Sequence, residues 1–281
     1  MALSSVTRRI DDTAEGRNKP TVITTGLPGI DKFLAGGLRP GQLAVLAARP
    51  GYGKSAAALC MARAAAEAGF PTLVVSLEMT ADENAERLLA AATSVPLPRL
   101  RDANLTPEQT DQITAEMEPS GLAGLPLYVC DQGGLSDSAL ADLVRTAADR
   151  HGVKFVACDY LQLLRGDDAG MKRYQQVGAS SRAMKALAKE TGVAFLCLAQ
   201  LNREVENREG GKPRPSDLRD SGEIEQDADV ILLLQPLDDD PKLRVHRVDC
   251  HVAKQRNGAT GTVELDYVRF LTKFEPRSVD R

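Results

Sequence analysis

The feature that most constrains the fold is a run of strand-forming residues that leads into a glycine loop and then into a helix. Residues 43–48 are apolar, residues 49–55 read Arg-Pro-Gly-Tyr-Gly-Lys-Ser, and an alanine-rich stretch continues to Gly69. Glycines in such a loop let backbone N–H groups and the positive end of a helix approach phosphate oxygens, where a Cβ atom would block them. This order predicts a P-loop whose nucleotide-contacting residues are Arg49, Pro50, Gly51, Tyr52, Gly53, Lys54, Ser55 and Ala56.

Two side chains of the loop have predicted roles. Lys54 is expected to reach the β- and γ-phosphates, and Ser55 is expected to bind Mg²⁺. The full motif has glycine where this chain has Ala48, so only the Gly-Lys-Ser half matches strictly. The apolar strand before it and the helix after it favour a P-loop over a surface turn.

Composition limits the class of protein. With 281 residues, of which 43% are hydrophobic, the chain can form one large α/β domain. A net charge of −4 argues against coating nucleic acid by bulk positive charge, so any DNA binding must be local. There is no long apolar run and no secretion signal, so we expect a cytoplasmic protein with no membrane partner. The five cysteines are far apart and suit buried apolar positions better than disulfides or a zinc site.

Apolar strand-like runs alternate with helical stretches along most of the chain. Strands are predicted at residues 72–77, 127–130, 155–164, 194–201 and 230–234, and helices at residues 82–93, 107–117, 136–150 and 176–191. Such alternation predicts an α/β fold with a mostly parallel central sheet flanked by helices. Residues 247–274 change to strands around Asn257-Gly258, which predicts a C-terminal antiparallel extension. We therefore expect a tail or linker at residues 1–22, one α/β domain at residues 23–275 and a tail at residues 276–281.

Polar side chains follow three of the predicted strands. Glu78 comes just after the second strand, where a carboxylate could polarise a water molecule, although it could also simply stabilise a helix start. Asp159 ends an apolar run, from where it could reach Mg²⁺ through water, and burying this charge without a function would be costly. Gln200 ends the fifth strand and could contact the γ-phosphate, or could be an ordinary polar residue at a strand end.

These motifs together resemble the ATPase domain of DnaB-type replicative helicases over about residues 22–274. The similarity lies in residues 47–55, 76–79, 159–162, 200–203, 217–229 and 254–258, and the long block at 217–229 is the most specific of them. Alanine at the first P-loop glycine is usual in that family, so Ala48 supports the resemblance.

The resemblance implies a RecA-like P-loop NTPase fold, the cofactors ATP and Mg²⁺, and a hexameric homo-oligomeric ring with ATP sites shared between neighbours. It places Glu78 as the catalytic carboxylate, Asp159 on Mg²⁺ and Gln200 as the phosphate sensor. It also makes Lys254 and Arg256 cations that enter the site of the adjacent subunit. Strand alternation puts these two side chains on one side, and we expect their hairpin to extend the sheet away from the P-loop strand.

The resemblance further implies single-stranded DNA in the central channel of the ring. The expected DNA-contacting residues are Arg203, Arg208, Lys212, Arg214 and Arg219 with Asp220 and Gly222, and a second loop with Lys172 and Arg173. Proteins of this family also have an N-terminal helical domain that meets primase, and primase or a helicase loader is a possible partner. Residues 1–22 are too short for that domain, which implies a cut domain or a natural short form.

Three other functions were weighed against an ATP-driven helicase motor. A related RecA-like ATPase could remodel DNA or protein without unwinding. A small-molecule P-loop kinase would need an arginine-rich lid from the same subunit, but the basic residues cluster in a loop after a strand and in the C-terminal hairpin. A non-hydrolysing regulatory subunit would be expected to lack Lys54, Glu78 or Asp159, and all three are present.

Overall fold

The computed structural model describes residues 22–164, 166, 170–202, 205, 210–218, 222–238, 240 and 242–277. Most of the two predicted tails therefore lies outside the described residues. Within the described part, no helix combines the length and apolarity needed to cross a lipid bilayer.

Nine strands form one sheet. In chain order they are β1 (Leu43–Ala48), β2 (Thr72–Ser76), β3 (Leu127–Cys130), β4 (Phe155–Asp159), β5 (Ala194–Gln200), β6 (Val230–Pro236), β7 (Val245–Gln255), β8 (Gly261–Val268) and β9 (Lys273–Pro276). Their spatial order is β3-β2-β4-β5-β1-β6-β7-β8-β9, parallel from β3 to β6 and antiparallel from β6 to β9. The predicted parallel sheet and its antiparallel C-terminal extension are both present.

The helices connect the strands and cover the sheet. They are α1 (Pro28–Phe33), α2 (Lys54–Glu67), α3 (Ala81–Thr93), α4 (Leu97–Arg101), α5 (Pro107–Glu116), α6 (Asp137–His151), α7 (Arg173–Thr191) and α8 (Gly222–Asp227). The short helix α4 was not predicted from the sequence. The strand predicted over residues 155–164 ends at Asp159, because the chain leaves the sheet there and forms a 3₁₀ turn at Leu161–Leu163.

The core lies on both faces of the sheet. Alternate residues of β1 belong to different buried clusters: Leu46 packs with residues of α2, whereas Val45 packs with residues of α6 and α7. Because both faces of β1 are buried, the strand is apolar at every position. This burial holds the end of β1, and therefore the start of the glycine loop, in a fixed position.

The C-terminal strands also pack against the glycine loop. The rings of Tyr267 on β8 and Phe274 on β9 stack with centroids 4.6 Å apart. A Cβ atom built on Gly53 would lie 2.9 Å from Phe274 and 3.1 Å from Tyr267, so this glycine is in close contact with the ring pair. The predicted hairpin does extend the sheet away from the P-loop strand β1, because β7, β8 and β9 follow β6 in the strand order, and β8 and β9 also lie against the glycine loop.

Candidate active site

A cleft of about 440 Å³ lies at the carboxyl edge of the parallel strands. It is lined by the glycine loop, the turn after β2, the end of β5 and the turn between β8 and β9. Ligands of open α/β sheets bind at this edge, where loops from several strands meet. The lining residues of the loop are Arg49, Pro50, Gly51, Gly53, Lys54, Ser55 and Ala56.

The loop has the backbone conformation that its glycines allow. Gly51 and Gly53 have φ angles of +84° and +79°, and Gly53 directly precedes the first residue of α2. A Cβ atom on Gly51 would have no atom within 4 Å, which leaves space for a ligand to approach the backbone. The Tyr52 ring packs under the Arg49 guanidinium, 5.3 Å away, and lines neighbouring cavities instead of the cleft, so its contact with a nucleotide stays a prediction for its backbone.

The loop lysine lies beside the strand-end carboxylate. Lys54 Nζ is 3.5 Å from Asp159 Oδ1 and 4.0 Å from the ring centroid of Tyr160. Asp159 is buried, and neither of its carboxylate oxygens has a hydrogen-bond partner among the described residues. A buried charge without hydrogen bonds is unfavourable unless a cation or a ligand compensates it.

These residues fit a Mg²⁺ site. Hydroxyl and carboxylate oxygens, together with water, are the donors that Mg²⁺ prefers, and Ser55 at the start of α2 and Asp159 at the end of β4 supply them. The structural observation that supports this fit is that the buried Asp159 oxygens have no hydrogen-bond partner among the described residues.

Glu78 and Gln200 lie at the carboxyl ends of β2 and β5, the two strands that flank β4. Glu78 is exposed in the turn after β2, and both residues line the cleft. Asn84 Nδ2 and Met79 N–H donate to Ser76 Oγ at 2.9 Å and 3.3 Å, so the turn that carries Glu78 is ordered by hydrogen bonds. Gln200 is in register with Ala48, immediately before the glycine loop.

The outer end of the cleft has residues that the sequence did not suggest. They are Arg87 on α3, Leu97 on α4, and Tyr267, Arg269 and Thr272 around the β8–β9 turn. Thr272 Oγ1 donates to Arg87 O at 3.1 Å and so ties α3 to this turn. Burial raises the pKa of the Tyr267 hydroxyl, while the nearby Arg87 and Arg269 guanidinium groups act against that rise.

Lys254 and Arg256 lie at the opposite edge of the sheet. Leu43 and Asp229 exchange hydrogen bonds at the amino end of β1, and Arg256 N–H donates to Asp229 O at 2.9 Å. The length of β1, roughly 17 Å at ~3.3 Å per residue, separates this edge from the glycine loop. Neither cation lines the cleft of its own chain.

Both cations contact the C-terminal end of α8. Lys254 Nζ donates to Glu225 O at 2.5 Å, and Arg256 Nη2 donates to Gln226 O at 3.2 Å, so the two side chains share one side as strand alternation predicts. Burial and the adjacent Arg256 lower the pKa of the Lys254 ammonium, while Glu225, Asp229 and Asp227 oppose this shift.

The predicted DNA-contacting residues are only partly described. Arg203, Arg208, Arg219 and Asp220 lie outside the described residues. Lys212 and Arg214 are exposed beyond the carboxyl end of β5, and Gly222 is exposed as the first residue of α8.

The second predicted DNA loop lies at the same edge of the sheet. Lys172 and Arg173 are exposed at the start of α7. Arg173 donates to the backbone oxygens of Gln162 and Leu164, which anchors this end of α7 to the turn after β4.

The sheet, the glycine loop and the lysine beside a strand-end carboxylate define a P-loop ATPase of the RecA-like class. The profile of the DnaB-like helicase C-terminal domain matches residues 22–276, and the chain belongs to this family. The resemblance seen in the sequence is therefore confirmed.

Curated relatives are replicative helicases. The chain is 40% identical over 278 residues to the replicative DNA helicase DnaB of Leifsonia xyli, an alignment that covers 96% of this chain and 60% of that protein. It is 36% identical to DnaB of Geobacillus stearothermophilus, covering 90% of this chain and 56% of that one. The chain thus spans less than two thirds of the length of these relatives.

Solved structures agree with the predicted fold. The ATPase domain of G40P superposes with a TM-score of 0.87 at 30% identity and covers 99% of this chain and 98% of that one. A DnaB-like replicative helicase, described with its interactions with primase, superposes with a TM-score of 0.86 at 29% identity, covering 98% of this chain and 66% of that one. The RecA-like fold with its antiparallel C-terminal strands is confirmed.

Proposed function

We propose that this chain is the motor of a ring-forming helicase, which hydrolyses ATP, moves along single-stranded DNA and unwinds duplex. The observation that carries this proposal is the buried carboxylate of Asp159, which has no hydrogen-bond partner and lies 3.5 Å from Lys54 at the end of a P-loop. Family membership and the relatives named DnaB support the same function.

The cleft residues divide the work of phosphoryl transfer. Backbone N–H groups at Gly51 and Gly53 would bind the phosphates, and Lys54 would leave Asp159 to bind the β- and γ-oxygens. Ser55 and Asp159 would hold Mg²⁺, which neutralises charge on the phosphates when bound. Arg87, Leu97, Tyr267 and Arg269 would contact the ribose and base, because they form the far end of the same cleft.

Glu78 and Gln200 would act on the terminal phosphate. The Glu78 carboxylate would accept a hydrogen bond from the attacking water and orient it for in-line displacement. Gln200 would contact the γ-phosphate and, because β5 continues into the loop that carries Lys212 and Arg214, would connect nucleotide state to DNA contact.

Lys254 and Arg256 would complete the site of the adjacent subunit. Their position at the amino edge, roughly 17 Å from their own glycine loop, supports a role outside the same chain's cleft. A head-to-tail ring brings this edge of one subunit to the carboxyl edge of the next, which is the arrangement of a heterologous closed assembly. We propose a hexameric ring on this basis.

DNA contact would be electrostatic and independent of sequence. The exposed Lys172, Arg173, Lys212 and Arg214 lie at one edge of the sheet, and a ring would repeat them around a channel. Phosphate contacts of this kind give strong salt dependence. Primase or a helicase loader is a further proposed partner, which the structural relative described with primase supports.

The alternative is a RecA-like ATPase that remodels DNA or protein without unwinding, and nothing in the comparisons favours it. A strand-displacement assay with a forked duplex separates the two, after the mass of the assembly has been measured with an ATP analogue and single-stranded DNA. Rings that hydrolyse ATP and displace the strand would support the motor. Rings that hydrolyse ATP on DNA without displacement would favour the alternative.

A further inference from the structure

Asp229 is a buried carboxylate that the roles proposed above do not use. It lies between α8 and β6, with only 5% of its surface exposed. Its Oδ2 accepts hydrogen bonds from Leu43 N–H at 2.9 Å and from Lys185 Nζ at 2.5 Å. Its Oδ1 accepts from Arg256 Nη1 at 3.2 Å. One carboxylate therefore connects the start of β1, helix α7 and the end of β7.

The two oxygens of Asp229 have different partners. The contacts of Oδ2 are sufficient to tie the sheet to α7, because Leu43 and Lys185 are both held there and Lys185 Nζ also donates to Gly41 O at 2.9 Å. The other oxygen, Oδ1, contacts Arg256, and the Arg256 side chain is 49% exposed. A purely structural carboxylate would not need to order an arginine at the surface.

Arg256 is held at two points. Nη1 contacts Asp229 and Nη2 contacts Gln226 O, and these partners lie directly after α8 and in its last turn. These contacts fix the plane of the guanidinium, since a planar group bound through two nitrogen atoms cannot rotate freely. Because half of the side chain remains exposed, its other donors are accessible to an anion outside the chain.

Lys254 and Arg256 lie side by side at the end of α8. The carboxylates Glu225, Asp227 and Asp229 near Lys254 balance the charge of this region, and Asp229 pairs with Lys185 and Arg256. The Lys254 ammonium is placed on backbone oxygens of α8, not on a carboxylate. A phosphate of the next subunit would therefore meet a pair of preordered cations.

We propose that Asp229 is a positioning residue, which aims Arg256 at the nucleotide of the adjacent subunit. The inference rests on the proposed function, in which Arg256 acts in trans. Asp229 makes no contact with the nucleotide and acts through the geometry of the guanidinium. Displacing a catalytic group by about 1 Å costs on the order of 10²-fold in rate, so small changes at Asp229 should be visible in turnover.

The first test is the variant Asp229→Asn, which keeps size but loses the charge that holds Arg256. We expect kcat for ATP to fall by about 10- to 100-fold, while KM and the affinity for a fluorescent ATP analogue stay near wild type, because the variant's own cleft is intact. In an Arg256→Ala background the same change should have little further effect on turnover. Equal losses in both backgrounds would mean that Asp229 acts independently of Arg256, and would overturn the proposal.

The decisive test mixes subunits. The Asp229→Asn subunit has an intact P-loop, and the Lys54→Ala subunit has an intact Asp229–Arg256 pair. Mixed rings therefore contain interfaces at which the intact P-loop of one subunit faces the intact pair of its neighbour. About a quarter of random interfaces are of this kind, and ATPase should recover toward that fraction of the wild-type rate. If Asp229 served only its own cleft, Lys54→Ala subunits could not rescue it, and mixed rings verified by mass would show no gain.

The control mixture of Arg256→Ala with Lys54→Ala distinguishes the trans role of Arg256 from the positioning role of Asp229. Failure of this control would overturn the trans role of Arg256 itself. Recovery in the control without recovery for Asp229→Asn would overturn only the positioning role. Should Asp229→Asn fail to fold, Asp229→Glu keeps the charge and moves it by one methylene, and the same mixing result is expected.

Discussion

Lys54 Nζ lies 3.5 Å from Asp159 Oδ1, so the cation of the P-loop and the carboxylate of β4 form an ion pair. The Lys54 side chain is 14% exposed and the Asp159 side chain 8%, and no other cation among the described residues pairs with Asp159. In the proposed function, nucleotide binding would exchange this ion pair for two new contacts, of Lys54 with phosphate and of Asp159 with Mg²⁺.

Lys54→Ala should abolish ATP hydrolysis and also weaken the fold. Because removal of Lys54 leaves the buried Asp159 without a cation, we expect a loss of about 1–3 kcal/mol in the free energy of unfolding. Adding Asp159→Asn should restore most of that loss but none of the activity. Urea unfolding of the two single variants and the double variant measures this coupling, and strictly additive changes would contradict the pairing.

Glu78→Gln should bind nucleotide normally and hydrolyse it about 10²- to 10⁴-fold more slowly, because an amide keeps the shape of the side chain but is a poor base. Asp82→Asn is a matched control, since Asp82 is an exposed carboxylate at the start of α3 that does not line the cleft. Nucleotide affinity and single-turnover rates measure the two effects. Loss of binding in Glu78→Gln would mean that its role had been assigned wrongly.

Gly53 and Gly51 allow a comparison of two alanine substitutions in one loop. Both glycines have positive φ, so each alanine should cost about 1–2 kcal/mol in backbone strain. Only at Gly53 would the new Cβ meet the stacked rings of Tyr267 and Phe274, which should add about 1–3 kcal/mol from overpacking. Gly53→Ala should therefore unfold at a lower temperature than Gly51→Ala, and equal losses would contradict the packing of β8 and β9 on the loop.

His251 predicts a pH dependence of stability. Burial lowers the pKa of its imidazole from 6.5, and the nearby Lys212 adds to this shift while Asp249 opposes it. Its Nδ1 lies 2.9 Å from Thr262 Oγ1 and its Nε2 lies 2.8 Å from Gln235 Oε1.

The unfolded chain therefore binds the His251 proton at a higher pH than the folded chain. Stability should fall as the pH drops below about 6.5, toward the lower pKa of the folded state. His251→Gln should reduce this slope in thermal unfolding between pH 7.5 and pH 5.5. An unchanged slope would contradict the assignment.

The sheet was predictable because its strands are buried on both faces and are therefore apolar at every position, as in β1. The same pattern points to three of the predicted site residues, because a polar side chain interrupts or follows each apolar run. These residues are Glu78, Asp159 and Gln200. The outer end of the cleft could not be found in this way, because Arg87 and Tyr267 come to one cleft only in the folded chain, where β9 packs against α2. The contacts of Asp229 could not be predicted from the sequence either, because its hydrogen bond with Leu43 joins residues 186 positions apart.

DNA contact provides the last prediction, and it depends on exposed charge at the carboxyl edge. Lys172→Ala, Lys212→Ala and Arg214→Ala should each weaken binding to single-stranded DNA of any sequence. Each should also reduce the slope of log affinity against log salt by about 0.7 for every phosphate contact removed.

Lys189→Ala is the matched control, because Lys189 is also exposed but lies near the opposite end of α7. Fluorescence anisotropy across a salt series gives both quantities. If Lys189→Ala changed the slope as much as the other three variants, the binding surface would not be confined to the carboxyl edge, and the placement of DNA beside Lys212 and Arg214 would be wrong.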